Sequence, residues 1–183
     1  MTVAEALLTA EEYRLLPDNG QWTELVRGRI VPMNMPAPRH GYICGKVVRL
    51  LGRYLDEHDL GRVMSNDSGV VTERNPDTVR GADVAYYSYA RLPRGPIPEG
   101  YLDVVPDLIF EVRSPTDRWR DVMVKVIEYL DAGVTAVCVL DPGVEGARVY
   151  VLAQQDRVIT ADQDLTLPEV LPDFRVPLRL LFE

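Results

Sequence analysis

Two apolar runs in the second half of the chain enclose a helical pattern. Residues 108–112 (LIFEV) and 134–140 (VTAVCVL) are almost continuously apolar, which is typical of strands buried on both faces of a sheet. Between them, apolar residues recur at helical spacing: Val122, Val126, Tyr129 and Leu130. The pattern therefore predicts a β-α-β-like unit. Glu111 lies inside the first run, and a charge at a buried position needs a specific reason.

The rest of the chain alternates between strand and helix patterns. Residues 22–26 and 29–33 flank a tight Arg27-Gly28 turn and predict an N-terminal β-hairpin. The longest helical pattern covers residues 40–58, and a capping-box sequence predicts a short helix over residues 10–16. The remaining predicted strands are 61–65 and 69–73, which form a second strand pair, and then 81–87, 148–152 and 157–160.

Two stretches are irregular. Residues 91–100 contain three prolines and two glycines, which predicts a surface loop. Residues 167–182 contain three prolines and end on apolar side chains, which predicts a tail that docks on the body of the protein or on a partner. We expect one domain over residues 1–183, of mixed α/β class, with a central mixed β-sheet flanked by α-helices.

Charge and composition limit the partners of the protein. The net charge of −8 and the isoelectric point near 4.8 argue against broad nonspecific attraction to nucleic acid. No apolar run approaches the roughly 18 residues of a membrane span, and the N-terminus lacks a leader pattern, so we expect a cytoplasmic protein with no membrane partner. Cys44 and Cys138 are too few and too far apart for a zinc site or a disulfide framework, and their apolar surroundings predict buried reduced thiols.

Two carboxylates are candidates for a metal site. Asp83 lies near the start of one predicted strand and Glu111 near the end of another, and these strands can be neighbours. Carboxylate oxygens are ligands that Mg²⁺ prefers, and the ion keeps waters and room for phosphate oxygens. Lys125, on the helix after Glu111, could help to activate a water or stabilise charge on a phosphoryl oxygen. Glu24 could add a carboxylate from the hairpin.

A purely structural interpretation uses the same residues. Asp83 could cap a turn, and Glu111 could pair with Arg113 at a sheet edge. Lys125 could form an i,i+4 pair with Asp121 on its helix. Because structural ion-pair networks contain the same residue types as metal sites, spacing alone leaves both interpretations open.

The motifs of the chain resemble those of one bacterial family. They are, in order, WTELVRGRI at 22–30, PRH at 38–40, ADV at 82–84 and PDLIFEVRSP at 106–115, followed by Asp121 and Lys125. Together they resemble the Uma-two family, which is described as restriction endonucleases and belongs to the PD-(D/E)XK nuclease superfamily. The likeness covers nearly the whole chain, from residue 9 to residue 182.

The resemblance implies a restriction-endonuclease-like fold and a Mg²⁺-dependent endonuclease that hydrolyses DNA phosphodiester bonds with a metal-activated water. Mn²⁺ is the alternative ion. By position, Asp83 and Glu111 match the metal-binding carboxylates, and Glu24 matches the acidic residue of the first strand pair. Lys125 matches a lysine that this family carries on the helix. His40 matches a recurrent family position, for which both a structural role and a site role are open.

Two positions depart from the family pattern. Ala82 replaces the usual proline before the aspartate, which leaves the metal ligand in place. Arg113 replaces the strand lysine of the superfamily, and a guanidinium cannot act as a base at neutral pH. Catalysis therefore depends on Lys125 reaching the carboxylates. The alternative is a catalytically inactive relative that binds nucleic acid or protein on the same fold. Ser114 could hydrogen-bond near the metal, although its place before Pro115 suits a turn equally well.

Basic residues follow one face of the longest predicted helix, and they are Lys46, Arg49 and Arg53. This face is either solvated or, together with other arginines, a surface that contacts the phosphates of DNA. Because cleavage of both strands of a duplex favours two sites, we expect a homodimer.

Overall fold

The chain folds around one mixed β-sheet. The computed structural model describes residues 6–183. The first five residues, which belong to the stretch considered above for a leader pattern, lie outside this range. The elements, in chain order, are α1 (Ala10–Arg14), β1 (Thr23–Val26), β2 (Arg29–Pro32), α2 (Pro38–His58), β3 (Gly61–Glu73), β4 (Thr78–Ser88), β5 (Leu108–Val112), α3 (Trp119–Asp131), β6 (Ala136–Asp141), β7 (Gly146–Val151), β8 (Arg157–Ile159), β9 (Asp164–Leu167), β10 (Leu171–Pro177) and a final 3₁₀ helix (Leu178–Leu181).

The main sheet has the strand order β2-β1-β4-β5-β6-β7-β8, and β3 also pairs with β4. Strands β5 and β6 are parallel and are joined by α3, so the predicted β-α-β unit is present. The other pairings in this sheet are antiparallel. Strands β9 and β10 form a separate two-stranded sheet. The prediction of a central mixed sheet is therefore confirmed.

Helices cover both faces of the central strands. Alternate residues of β4 and β5 bury on opposite sides, as the two-residue period of a strand requires. The cluster on the α2 side includes Val84, Tyr86, Leu108 and Phe110 with Ile43, Val47 and Leu51. The cluster on the α3 side includes Ala85, Tyr87 and Ile109 with Val122, Val126 and Tyr129. Because Glu111 is two residues from Ile109, its side chain points to the α3 side of the sheet.

The prediction of two separate strands within residues 61–73 is wrong. These residues form the single strand β3, which pairs with β4 from Gly61 opposite Ser88 to Glu73 opposite Thr78. The register shifts between Ser65 and Ser68, where Asn66 and Asp67 have positive φ angles of 68° and 52°. Polar residues that read as a turn in the sequence therefore form a bulge in one long strand.

The N-terminal hairpin forms as predicted. Strands β1 and β2 are antiparallel and pair Val26 with Arg29. The two turn residues, Arg27 and Gly28, have φ angles of 49° and 75°, the left-handed pair that a two-residue type I′ turn requires. The hairpin joins the main sheet through β1, which pairs with β4 at Leu25 and Val79. This pairing brings the neighbouring Glu24 to the centre of the sheet.

The apolar tail docks on the body of the protein. Its buried residues join the α2-side core, and they are Leu167, Leu171, Phe174, Leu178, Leu181 and Phe182. Within residues 6–183, no helix is both long enough and apolar enough to cross a membrane.

Candidate active site

Strand register places Asp83 and Glu111 side by side. Val84 of β4 pairs with Phe110 of β5, so the next positions, Asp83 and Glu111, face each other across two antiparallel strands. Each is only 8% exposed. The backbone N–H of Val112 donates to Oδ2 of Asp83 at 2.6 Å, which fixes one side of that carboxylate. Two carboxylates thus meet in a nearly buried position.

Helix α3 delivers two donors to Glu111. Lys125 and Tyr129 are four residues apart and therefore lie on one helix face. The Nζ atom of Lys125 lies 3.2 Å from Oε2 of Glu111, and the hydroxyl of Tyr129 donates to Oε1 at 2.8 Å. The lysine side chain thus reaches the strand carboxylate. Tyr129 was expected from the sequence as part of the apolar helix face, and its hydroxyl contact was not predicted.

Glu24 holds Lys125 from the other side. Its Oε1 atom lies 3.0 Å from Nζ of Lys125 and accepts the backbone N–H of Gly81 at 3.1 Å. Its Oε2 atom accepts from the guanidinium of Arg80 at 2.7 Å. Arg80 also makes a two-bond contact with Glu128, at 2.6 and 2.9 Å. Both oxygens of Glu24 are thus occupied by donors of the protein, so Glu24 is placed to position Lys125.

His40, near the start of α2, contacts Asp83. Its Nε2 atom lies 3.2 Å from Oδ2 of Asp83, and its Nδ1 atom lies 3.6 Å from Sγ of Cys44, one helical turn further on. Burial favours the neutral imidazole, but the hydrogen bonds to Asp83 and Cys44 and the charge of Asp83 outweigh it and raise the pKa of His40 to about 10. The prediction of buried thiols is confirmed for Cys138, which is buried. It is wrong for Cys44, which is half-buried because it lies at the edge of this cluster.

Burial and neighbouring charges shift the pKa values of Glu111 and Lys125. Burial raises the pKa of Glu111, and the charge of Asp83 adds to this effect, although Lys125 opposes it. For Lys125, burial favours the neutral amine, but the carboxylates of Glu111 and Glu24 outweigh it and raise its pKa. Lys125 is therefore a cation at neutral pH.

Arg113 lies outside this cluster. Its guanidinium donates to Asp141 at 3.0 Å and to the backbone oxygen of Asp117 at 3.1 Å, and it lies over the ring of Trp119. The purely structural interpretation paired Arg113 with Glu111 and Lys125 with Asp121, and these pairings are wrong. Helix α3 approaches the sheet closely enough for Lys125 to reach Glu111 directly.

Ser114 makes a turn next to the site. Its backbone N–H donates to the carboxylate of Asp117 at 2.8 Å, and the backbone N–H of Asp117 donates to the carbonyl of Ser114 at 3.0 Å. This is the turn expected before Pro115. Ser114 also lines the cleft described next.

Asp83 and Glu111 lie at the surface of a cleft of about 850 Å³. Glu24, His40, Asp83, Glu111 and Lys125 all line it. Other residues that line it are aromatic or apolar, and they include Tyr13, Trp22, Met33, Met35 and Tyr101. The cleft therefore combines charged side chains with flat side chains on which an organic ring could stack.

Asp67 is a further carboxylate in the wall of this cleft, and it was absent from the sequence prediction. It lies in the bulge of β3 and lines the cleft together with Asp83. Burial raises the pKa of Asp67, and the charge of Asp83 adds to this effect. The Asn66-Asp67-Ser68 sequence carried a turn signal and nothing that indicated a site, because only the bulge directs Asp67 toward the cleft.

The family model described as "Putative restriction endonuclease", Uma2, matches residues 10–179. The chain belongs to this Uma2 (Uma-two) family. A crystal structure described as "a putative nuclease belonging to DUF820", from Anabaena variabilis ATCC 29413, has a similar fold, with a TM-score of 0.83 and 22% sequence identity. The match covers 96% of this chain and 97% of that one. No curated protein matches the chain.

Proposed function

We propose that this Uma2-family protein is a metal-dependent endonuclease that hydrolyses DNA phosphodiester bonds. The observation that carries the proposal is the convergence of Asp83, Glu111 and Lys125 in one cleft, from three different elements. Membership of a family described as restriction endonucleases supports a nucleic-acid substrate. The lysine on α3 takes the place of the strand lysine, because Arg113 is directed to Asp141.

The side chains fit Mg²⁺ or Mn²⁺. Asp83 and Glu111 supply hard carboxylate oxygens on adjacent strands, and both are nearly buried. Burial is the main cause of the raised pKa of Glu111, and the charge of Asp83 adds to it although Lys125 opposes it; a bound cation would stabilise the charged form of both carboxylates. When bound, the ion would lower the pKa of a water molecule and neutralise charge on the phosphate. Glu24, unlike Glu111, is paired with the guanidinium of Arg80 as well as with Lys125, so we propose that it positions Lys125 instead of binding the ion directly.

The other residues of the cluster hold the two ligands and the lysine in place. Tyr129 orients Glu111 through its hydroxyl, and His40 together with the N–H of Val112 orients Asp83. Because the pKa of Lys125 is raised, its ammonium stays charged and stabilises the negative charge that develops on the phosphoryl oxygens. It therefore acts by electrostatic stabilisation and not as a base.

The test is cleavage of supercoiled plasmid and of a short single-stranded oligonucleotide with Mg²⁺ or Mn²⁺. Asp83→Asn and Lys125→Met remove a ligand and the ammonium with little change of size. Asp121→Asn is the matched control, because Asp121 is exposed on the same helix as Lys125. We expect cleavage by the wild type and by the control, and loss in both site variants.

Equal cleavage in all four preparations would indicate a contaminating nuclease and would contradict the proposal. Absence of cleavage by folded wild type, with retained binding of DNA or of a protein, would favour the catalytically inactive relative. A homodimer remains a prediction, and light scattering during gel filtration measures it directly.

A further inference from the structure

A histidine, a thiol and a carboxylate meet beside the acidic cluster. His40 and Cys44 lie one turn apart on α2, and Asp83 faces them from β4. One ring nitrogen of His40, Sγ of Cys44 and one oxygen of Asp83 all lie within 4.8 Å of one another. No sequence pattern indicated this set, because the two cysteines are far apart and Asp83 is remote from both in the chain.

We propose that His40, Cys44 and Asp83 bind a thiophilic divalent cation such as Zn²⁺, in a site distinct from the Mg²⁺ position. Thiolate, imidazole and carboxylate are together a ligand set that zinc accepts, whereas Mg²⁺ does not favour sulfur or nitrogen ligands. Cys44 therefore determines which ion this site takes. On binding, the thiol of Cys44 and the imidazolium of His40 each release one proton to the solvent.

The geometry needs a small adjustment. With zinc–ligand bonds of about 2.0 to 2.3 Å, tetrahedral ligand atoms lie roughly 3.3 to 3.6 Å apart. The most widely separated of the three atoms must therefore approach each other by up to about 1.2 to 1.5 Å, which rotation of the His40 and Cys44 side chains can supply. The backbone on both sides is held by the core, since Val47 of α2 and Val84 of β4 belong to one buried cluster.

The fourth coordination position has room and polar partners. A cavity of about 420 Å³ is lined by the three ligand residues and by Ser65, Asn66 and Asp67 of the β3 bulge. A water molecule or the carboxylate of Asp67 can complete a tetrahedral site from this side.

A zinc ion here would act on the proposed nuclease site, and this consequence rests on the proposed function. Asp83 is shared between the two sites, because it faces both Glu111 and His40. Zinc held by Cys44 and His40 would withdraw Asp83 from Mg²⁺. We therefore expect Zn²⁺ to inhibit Mg²⁺-dependent cleavage through Cys44.

Binding is tested first without DNA. Co²⁺ replaces Zn²⁺ and gives a near-ultraviolet charge-transfer band when a thiolate is a ligand. We expect this band in the wild type and in Cys138→Ala, and its loss in Cys44→Ser. Competition with a chromophoric chelator should show that Cys44→Ser lowers the affinity for Zn²⁺ roughly tenfold or more. A missing band in folded wild type, or equal Zn²⁺ affinity in wild type and Cys44→Ser, would overturn the site.

A second measurement needs no variant. Zn²⁺ should protect Cys44 from alkylation, as read by mass spectrometry of the peptide that contains it, and unchanged labelling would overturn the site. The inhibitory role is then tested by cleavage, with each protein compared with its own rate without Zn²⁺. Zinc should inhibit the wild type at lower concentrations than Cys44→Ser. If the band appears and folded wild type does not cleave DNA, the zinc site stands and the proposed function fails. If cleavage occurs without the band, only the zinc site fails.

Discussion

Two carboxylates of similar solvent exposure, Asp77 and Glu111, have pKa shifts in opposite directions. Asp77 is 6% exposed and Glu111 is 8% exposed. Asp77 accepts from the backbone N–H groups of Ala10 and Asn75 and from Arg74, and these bonds outweigh the effect of burial and lower its pKa. Burial is the main cause of the raised pKa of Glu111, and the charge of Asp83 adds to it, although Lys125 and the hydroxyl of Tyr129 oppose it.

Asp77 is a structural carboxylate, whereas Glu111 is a carboxylate of the candidate site. Asp77 lies in the β3–β4 turn and accepts a hydrogen bond from Ala10 of α1, so it links the two elements. Donors of the protein itself compensate its charge. Glu111 lies deep in a cleft open to a ligand, where burial disfavours its charge despite the contacts with Lys125 and Tyr129. Solvent exposure alone does not distinguish the two residues, whereas the depth of burial together with the donors that face each carboxylate does.

The largest expected effect is on activity at Glu111. Glu111→Gln keeps the size of the side chain and removes the negative charge that we assign to metal binding. We expect cleavage to fall at least about 100-fold, or about 2.7 kcal/mol of transition-state stabilisation. Single-turnover plasmid cleavage measures the rate. A decrease of less than threefold in a folded variant would remove Glu111 from the site.

The opposite variant, Asp77→Asn, should reduce stability and leave cleavage unchanged below the unfolding temperature. In this variant a neutral amide replaces the charged acceptor of the bonds from Ala10, Asn75 and Arg74. The free energy of unfolding should therefore fall by about 1 to 3 kcal/mol. Urea unfolding measures the difference. Asp164→Asn is the control, because its ion pair with Arg175 is largely exposed, and we expect less than about 0.5 kcal/mol there. Equal losses of stability in Asp77→Asn and Asp164→Asn would contradict the structural role assigned to Asp77.

Metal binding should stabilise the protein through Asp83. At a Mg²⁺ concentration ten times its Kd, the folded state should gain about 1.4 kcal/mol. Thermal unfolding with Mg²⁺ and with chelator should show this gain in the wild type, with little change in Asp83→Asn. Asp77→Asn should respond to Mg²⁺ as the wild type does, because Asp77 lies outside the cleft. An equal response in Asp83→Asn would contradict the ligand assignment.

The smallest expected effect is the pH dependence of the contribution that Asp77 makes to the free energy of unfolding. Its pKa is lower in the folded protein than the ordinary value of 3.8, so it stabilises the fold above that value. This stabilisation disappears as the pH falls through the folded-state pKa. The difference in unfolding free energy between wild type and Asp77→Asn should therefore be constant from pH 5 to neutrality and shrink below about pH 4. A difference that grows in acid would contradict the assigned direction.

The sequence predicted elements better than it predicted pairings. The hairpin, α2, the β5-α3-β6 unit and the docked tail follow from local alternation, helical spacing and turn residues. The strand pair within residues 61–73 was wrong because Asn and Asp favour turns and bulges by the same local preference. Which of these forms depends on the partner strand β4, and a local sequence does not contain that information.

For the candidate site, too, the sequence predicted single residues better than it predicted their contacts. The sequence by itself determined the candidate site residues, since an acidic residue within a buried apolar run needs a partner and Lys125 follows on the next helix. Only the tertiary structure decided that Glu24 holds Lys125, that Asp67 enters the cleft and that Cys44 meets His40 and Asp83. The physical reason is that these contacts join side chains from strands and helices far apart in the chain. Their distances are therefore set by sheet register and helix packing and not by spacing along the sequence.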